Sequence, residues 1–282
     1  MDNDALPPLH DLGPTQRRPQ LALVNPRWKD NINAQFVLAR LASFLQALVS
    51  GEVPRGQLKH RVLIAPCPSP DNLDEIAQMT RSAYYRIELT TGGNGMDALP
   101  QIALHAPNDD ERATACLFGL PAVIEHGADV PSQSAGMPPW LGAPGEYFLL
   151  QAGRTAELQP ALCERLFHSL VNFLIHTGIV AELALAEVED DFHYFNASDE
   201  FVLLGEANGM FVSRHEPGRW LQAGDLVGHI YNRHSGVLST DVCAPIGGLL
   251  TAIRREPLVD EDTPLAIIQK KAGPRGPAKQ EE

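Results

Sequence analysis

The chain has 282 residues, 44% hydrophobic and 20% charged, enough to bury one large core or two smaller ones. Its 22 Lys plus Arg against 35 Asp plus Glu give a formal charge of -13, which opposes a phosphate backbone and argues against nucleic acid as a partner. No apolar run reaches the roughly 18 to 20 residues that span a bilayer, and residues 1–19 are polar and Pro-rich without a signal-like apolar block, so a cytoplasmic protein with no membrane partner is expected.

Residues 1–19 read as an N-terminal extension, and residues 20–180 then alternate short β-like runs with helical ones, the pattern of a sheet flanked by helices. Leu21 to Val24 is the first predicted strand. Ile32, Phe36, Val37, Leu41, Phe44, Leu45 and Leu48 recur at three- and four-residue spacing, which predicts a helix from Ile32 to Val49 with one buried stripe. Arg61 to Pro66 is the second strand, Asp71 caps a short helix reaching Met79, and Tyr85 to Thr90 is the third strand. Ile102 to Leu104 is a further short strand, and Asn108 or Asp109 caps a helix over Glu111 to Phe118 that Gly119 and Pro121 end. Ala122 to Ile124 and Tyr147 to Leu150 are unbroken apolar runs of the kind buried on both faces of a sheet. Asp129 to Gly145, rich in Pro, Gly and Ser, reads as a long loop, and Leu162 to Ile175 as a helix ending before Gly178.

From residue 181 to 270 only short β-runs and turns remain, which predicts an all-β module; 271–282 reads as a disordered tail. The runs Gly224 to Ile230, Val242 to Leu250 and Pro264 to Ile268 resemble the small barrel-sandwich hybrid of biotinyl and lipoyl domains, but no hairpin presents a Met-Lys-like acceptor for a swinging arm. Cys67, Cys116, Cys163 and Cys243 form no CxxC pair and read as small apolar residues or free thiols.

Four landmarks, in order, resemble one known family. Glu88-Leu89-Thr90-Thr91-Gly92-Gly93 is similar to an Asp-Leu-His-Ser-Gly-Gly strand end, followed by Leu99-Pro100-Gln101-Ile102, by Phe118-Gly119-Leu120-Pro121-Ala122-Val123 and by Gly209-Met210-Phe211 leading into the β-module. Over about residues 20 to 270 the chain resembles the succinylglutamate desuccinylase and aspartoacylase family, relatives of the zinc carboxypeptidases with an α/β domain before a β-module. In active relatives the first strand leads into a Gly-x-His-Gly-x-Glu loop whose His and Glu bind zinc, a third ligand is the His of the Asp-Leu-His strand end, and a Glu takes a proton from zinc-bound water.

The resemblance implies that each of these groups is missing here. Trp28 stands for the first His, Asn31 for the Glu, Thr90 for the second His and Gln151 for the general base, whose amide cannot accept a proton. The Asn-Arg-x-Phe-Pro-Gly segment that grips substrate in relatives is missing between Pro70 and Tyr85. The expectation is a pseudoenzyme with no cofactor, binding a partner protein or a small carboxylate or peptide ligand in the former cleft, lined by Arg27, Trp28, Thr90, Thr91, Gln151 and Arg154. Arg27 and Trp28 are residue types that serve as interface anchors. Two alternatives stay open: an active metal-dependent amidohydrolase with an unconventional zinc site, and a structural subunit pairing with an intact paralogue.

His105, Glu125 and His126 are the alternative donor set for a divalent ion, close in sequence to Asp109, Asp110 and Glu111. A simpler reading puts the three acidic residues in the first turn of a helix and leaves the two histidines as single residues at strand ends. Thr90-Thr91 with Gly92-Gly93 is a candidate cradle for a small anion, although a plain strand-to-loop turn also explains the glycines.

Overall fold

The computed structural model describes residues 9–27, 29–53, 55–127, 140, 142–183 and 192–270. Trp28, residues 129–139 and 141 of the expected loop, and the expected tail at 271–282 lie outside the described residues.

Strands β1 (His10–Leu12), β2 (Leu21–Val24), β3 (Gln57–Leu58), β4 (Val62–Ala65), β5 (Tyr85–Thr90), β6 (Met96–His105), β7 (Ala122–His126), β8 (Glu146–Gly153) and β9 (Val180–Ala181) occupy the first part of the chain. Strands β10 (His193–Phe195), β11 (Glu200–Leu204), β12 (Gly209–Ser213), β13 (Trp220–Leu221), β14 (Leu226–Tyr231), β15 (Leu238–Cys243), β16 (Gly248–Arg254), β17 (Leu258–Val259) and β18 (Pro264–Lys270) follow. The helices are α1 (Ile32–Ser50), α2 (Leu73–Thr80), α3 (Asp109–Ala115) and α4 (Pro160–His176). The architecture is the expected mixed sheet flanked by helices, followed by a β-rich module.

The main sheet runs β1-β4-β2-β5-β8-β6-β16-β18-β11. β4, β2, β5 and β8 are parallel, as helical crossovers between them require. Helices α1 and α4 cover one face, where Val37, Leu38, Leu41 and Leu45 of α1 are fully buried. Each such side chain contributes on the order of 1.5–3 kcal/mol of burial free energy. Phe44 and Phe167 meet edge to face at 5.8 Å between α1 and α4. On the opposite face, α2 packs Ile76 and Ala77 against Ala22, Val24, Leu63 and Ala65.

Several expectations need correcting. Ile32 and Phe36 are exposed, because the buried stripe of α1 runs through Ala34, Val37 and Leu41. Residues 10–12 are not an extension: β1 pairs antiparallel with β4 and forms the sheet edge. The predicted strand Ile102 to Leu104 is the inner part of the ten-residue β6. The all-β segment is not structurally separate, since β10 pairs with β7 and β16 with β6 inside the main sheet. Helix α1, with 19 residues and a mean hydropathy of 1.4, is long and apolar enough to cross a bilayer by length and composition, contrary to the sequence reading. That apolarity is used here to fill the core under the sheet.

β6 explains how the halves join. Its outer edge pairs with β16 over Met96–Ala98 and with β7 over Gln101–His105, while β8 takes the other edge. The sheet therefore forks at Leu99 and Pro100, and proline, which has no ladder donor to offer, suits the point where one partner strand gives way to the other.

Candidate functional site

Register places the site. Thr90 lies beside Gln151, Gln151 beside Gln101, Leu149 beside Ala103, Ala103 beside Ile124, and His105 beside His126. Because side chains alternate along each strand, these residues share one sheet face, opposite α1 and α4. They line a cavity of 910 Å³ whose second wall comes from β11, β16 and β18 through Glu200, Val202, Thr251, Arg254, Ile267 and Gln269. The cavity thus occupies the fork in the sheet.

At the Thr90 end, the loop after β2 is held by Asn25, whose Nδ2 donates to the carbonyls of Asn31 and Pro66 at 3.1 Å. The amides of Asp30 and Asn31 both donate to the Arg27 carbonyl, and Ala156 N donates to the Asp30 carbonyl. This turn brings Arg27 and Asp30, three residues apart, to the cavity lining. Asn31 is not there. It is 2% exposed and its Oδ1 accepts from Ala34 N at 3.0 Å as the N-cap of α1, so Asp30 and not Asn31 reaches the cavity from this turn.

Gln151 is fixed at both ends of its amide. Its Nε2 donates to the Thr91 carbonyl at 3.2 Å, and its Oε1 accepts from Gln101 Nε2 at 2.8 Å. Thr91 Oγ1 is 3.2 Å from Thr155 Oγ1. The glycine pair does not form an anion cradle: Gly92 N donates to the Gly153 carbonyl at 3.0 Å and Gly93 N to Thr91 Oγ1 at 3.4 Å. A Cβ on Gly92 would come within 2.7 Å of the Met96 carbonyl, so close backbone approach is what this glycine serves. Arg154 is also displaced from the expected lining. The chain turns at Gly153, and the Arg154 guanidinium pairs with Glu157 at 2.7 Å.

At the far end, His105 and His126 stack with centroids 5.1 Å apart. His126 Nδ1 lies 4.0 Å from Glu200 Oε2, which accepts from Gln269 Nε2 at 3.3 Å. Burial lowers the pKa of both imidazoles, with the neighbouring His126 adding to the shift of His105, whereas burial raises that of Glu200. Glu125 does not join the two histidines as the alternative donor set required. Its neighbours in β7, Ile124 and His126, line the cavity, while its own carboxylate accepts from Arg112 Nε at 2.8 Å and from the Tyr194 hydroxyl, and the Arg112 bond pulls its pKa down.

The residues present do not fit zinc. Guanidinium offers no lone pair, a threonine hydroxyl is a weak ligand, and Asp30 is left as the one ordinary zinc donor among Arg27, Asp30 and Thr90. Among the described residues no group of three His, Cys, Asp or Glu side chains is placed to hold a metal ion. The four cysteines are unpaired.

Solved structures share this fold. An aspartoacylase family protein from Mesorhizobium loti is 18% identical, with a TM-score of 0.66, covering 91% of this chain and 86% of its own. The product-bound ectoine utilization protein EutE (DoeB) from Ruegeria pomeroyi is 18% identical with a TM-score of 0.69, covering 90% and 86%. A succinylglutamate desuccinylase from Silicibacter sp. TM1040 is 18% identical with a TM-score of 0.67, covering 90% and 85%. No protein-family model matches the sequence, and no curated protein matches it. The fold is therefore that of the aspartoacylase and succinylglutamate desuccinylase structures.

Proposed function

We propose that this protein is a relative of aspartoacylase and succinylglutamate desuccinylase that has lost zinc-dependent hydrolysis and binds a small carboxylate-bearing ligand in the former active-site cavity. The observation that supports this reading is that Arg27, Asp30 and Thr90 line one cavity and include a single ordinary zinc donor, Asp30. Zinc lowers the pKa of bound water to about 7, so without a ligand set the hydrolysis has no nucleophile at neutral pH. Gln151 reinforces this, because its amide cannot take the proton a Glu would and its oxygen already accepts from Gln101.

What the lost ligands leave is a recognition surface. Among the described residues the Arg27 guanidinium has no carboxylate partner, and a planar fork of donors suits a ligand carboxylate. The Thr90 hydroxyl lines the same cavity, and the paired Thr91 and Thr155 hydroxyls leave one further uncharged donor between them. A volume of 910 Å³ lies within the roughly 300–1,000 Å³ of small-molecule sites.

The test is metal analysis of protein purified without chelator, together with calorimetric titration of hexanoate. The expected result is substoichiometric zinc and hexanoate binding that Arg27→Gln removes. About one zinc per chain, with release of an amino acid from an N-acyl amino acid, overturns the reading.

A further inference from the structure

The Glu200 end of the cavity holds an excess of acceptors. Gln269 is 0% exposed, and an ionised Glu200 carboxylate only accepts, so Gln269 turns its nitrogen to it at 3.3 Å. Gln269 Oε1 is then left without a hydrogen-bond partner. His105 Nε2 is also buried and unpartnered. The only ionisable group paired with Glu200 among the described residues is His126, at 4.0 Å, and burial holds that imidazole toward its neutral form. A half-buried carboxylate, an orphaned amide oxygen and two neutral imidazoles, each with one lone-pair nitrogen, therefore line one end of the cavity. Unmatched buried acceptors of this kind cost roughly 1–3 kcal/mol each, which a ligand supplying donors recovers.

We infer that this end of the cavity binds the protonated primary amine of a ligand. An ammonium group carries three donors and no acceptor, matching a site that has acceptors and one uncompensated negative charge. A divalent cation is a poorer match, because the two imidazole planes lie only 23° apart and stacked, presenting faces to each other instead of converging their lone pairs on one point. Gln101, which bonds Gln151, and His105, which stacks on His126, both line the cavity from β6, four residues and therefore about 13 Å apart. A carboxylate at Arg27 and an amine at Glu200 thus describe an elongated zwitterion such as an ω-amino acid or a short peptide with a lysine-like side chain. This assignment rests on the cavity being a ligand site, and adds the class of ligand.

Calorimetric titrations of the full chain with hexylamine, hexan-1-ol and hexanoate, at a pH where the amine is charged, separate the two claims. The expected result is hexylamine binding at least about tenfold tighter than hexanol binding, equivalent to ~1.4 kcal/mol. Glu200→Gln should remove that preference and Arg27→Gln should keep it. The hexylamine and hexanol comparison needs no variant, so it remains decisive if Glu200→Gln does not fold. Hexanoate binding without any preference for hexylamine over hexanol overturns the amine site alone and leaves the carboxylate reading standing. Failure of all three probes overturns both. A divalent ion that binds wild type and is lost in His126→Ala, with no amine binding, overturns the amine site in favour of a metal.

Discussion

The two ends of the cavity differ in how far their buried polar groups are paired. At the Thr90 end the Thr91 carbonyl, Gln151 amide and Gln101 amide form a directed chain that leaves only Gln101 Oε1 over among its amide atoms, and the Thr91 and Thr155 hydroxyls pair beside it. At the Glu200 end the chain of amides stops at Gln269 and leaves acceptors over. The first end is closed mainly by its own hydrogen bonds, whereas the second leaves Gln269 Oε1 and His105 Nε2 without partners. On the proposed reading, loss of a catalytic centre and retention of a binding chamber would coexist within one cavity.

The largest effect should come from restoring the first end. A triple variant with Arg27→His, Asp30→Glu and Thr90→His should gain zinc affinity by on the order of 100-fold or more, read by competition with a chromophoric chelator. No gain would mean that Arg27 and Asp30 do not face a common point with Thr90. Next, Gln151→Leu leaves the Thr91 carbonyl and the Gln101 amide without partners, and should lower the unfolding free energy by about 2–4 kcal/mol in urea titration. An unchanged midpoint would show that the amide chain carries no stability. Asn31→Ala should cost about 1 kcal/mol by the same measurement while leaving hexanoate binding intact, as fits a helix cap outside the cavity.

The smallest effect concerns pH at the Glu200 end. His105 and His126 have folded pKa values below their unfolded value, so the unfolded chain binds protons more readily, and the stability they contribute is lost as pH falls below about 6.5 toward their folded values. Glu200 works the other way: its raised folded pKa means stability gained as pH falls. The two contributions partly cancel, so melting temperature should decline only gently from pH 7 to 5. Glu200→Gln removes the opposing contribution and should steepen that decline, and an unaltered slope would remove Glu200 from the balance.

Much of the first end was legible in sequence because its signals are local. Tyr85 to Thr90 reads as a strand from its own residues, and Thr90 and Gln151, singled out within recognisable segments, both line the cavity. Asn31 misled because a residue just before an apolar period can be either a loop ligand or a helix cap, and only the cap geometry decides. The far end was largely invisible. His105 and His126 were noticed, but Glu200 and Gln269 reach them through strand pairing across the fork, and no local pattern encodes a pairing between segments so far apart. The period-two run Gln101, Ala103, His105 was the one available hint that a polar face extended along β6.

The fork at Leu99 and Pro100 also limits how the chamber can work. Both walls grow from β6 through backbone hydrogen bonds, one branch through β7 and the other through β16, so neither can swing away without breaking a ladder. A ligand bound there would not be clamped by moving one half against the other. Selectivity must come from shape and fixed polarity, and association should show little of the slow isomerisation that accompanies domain closure.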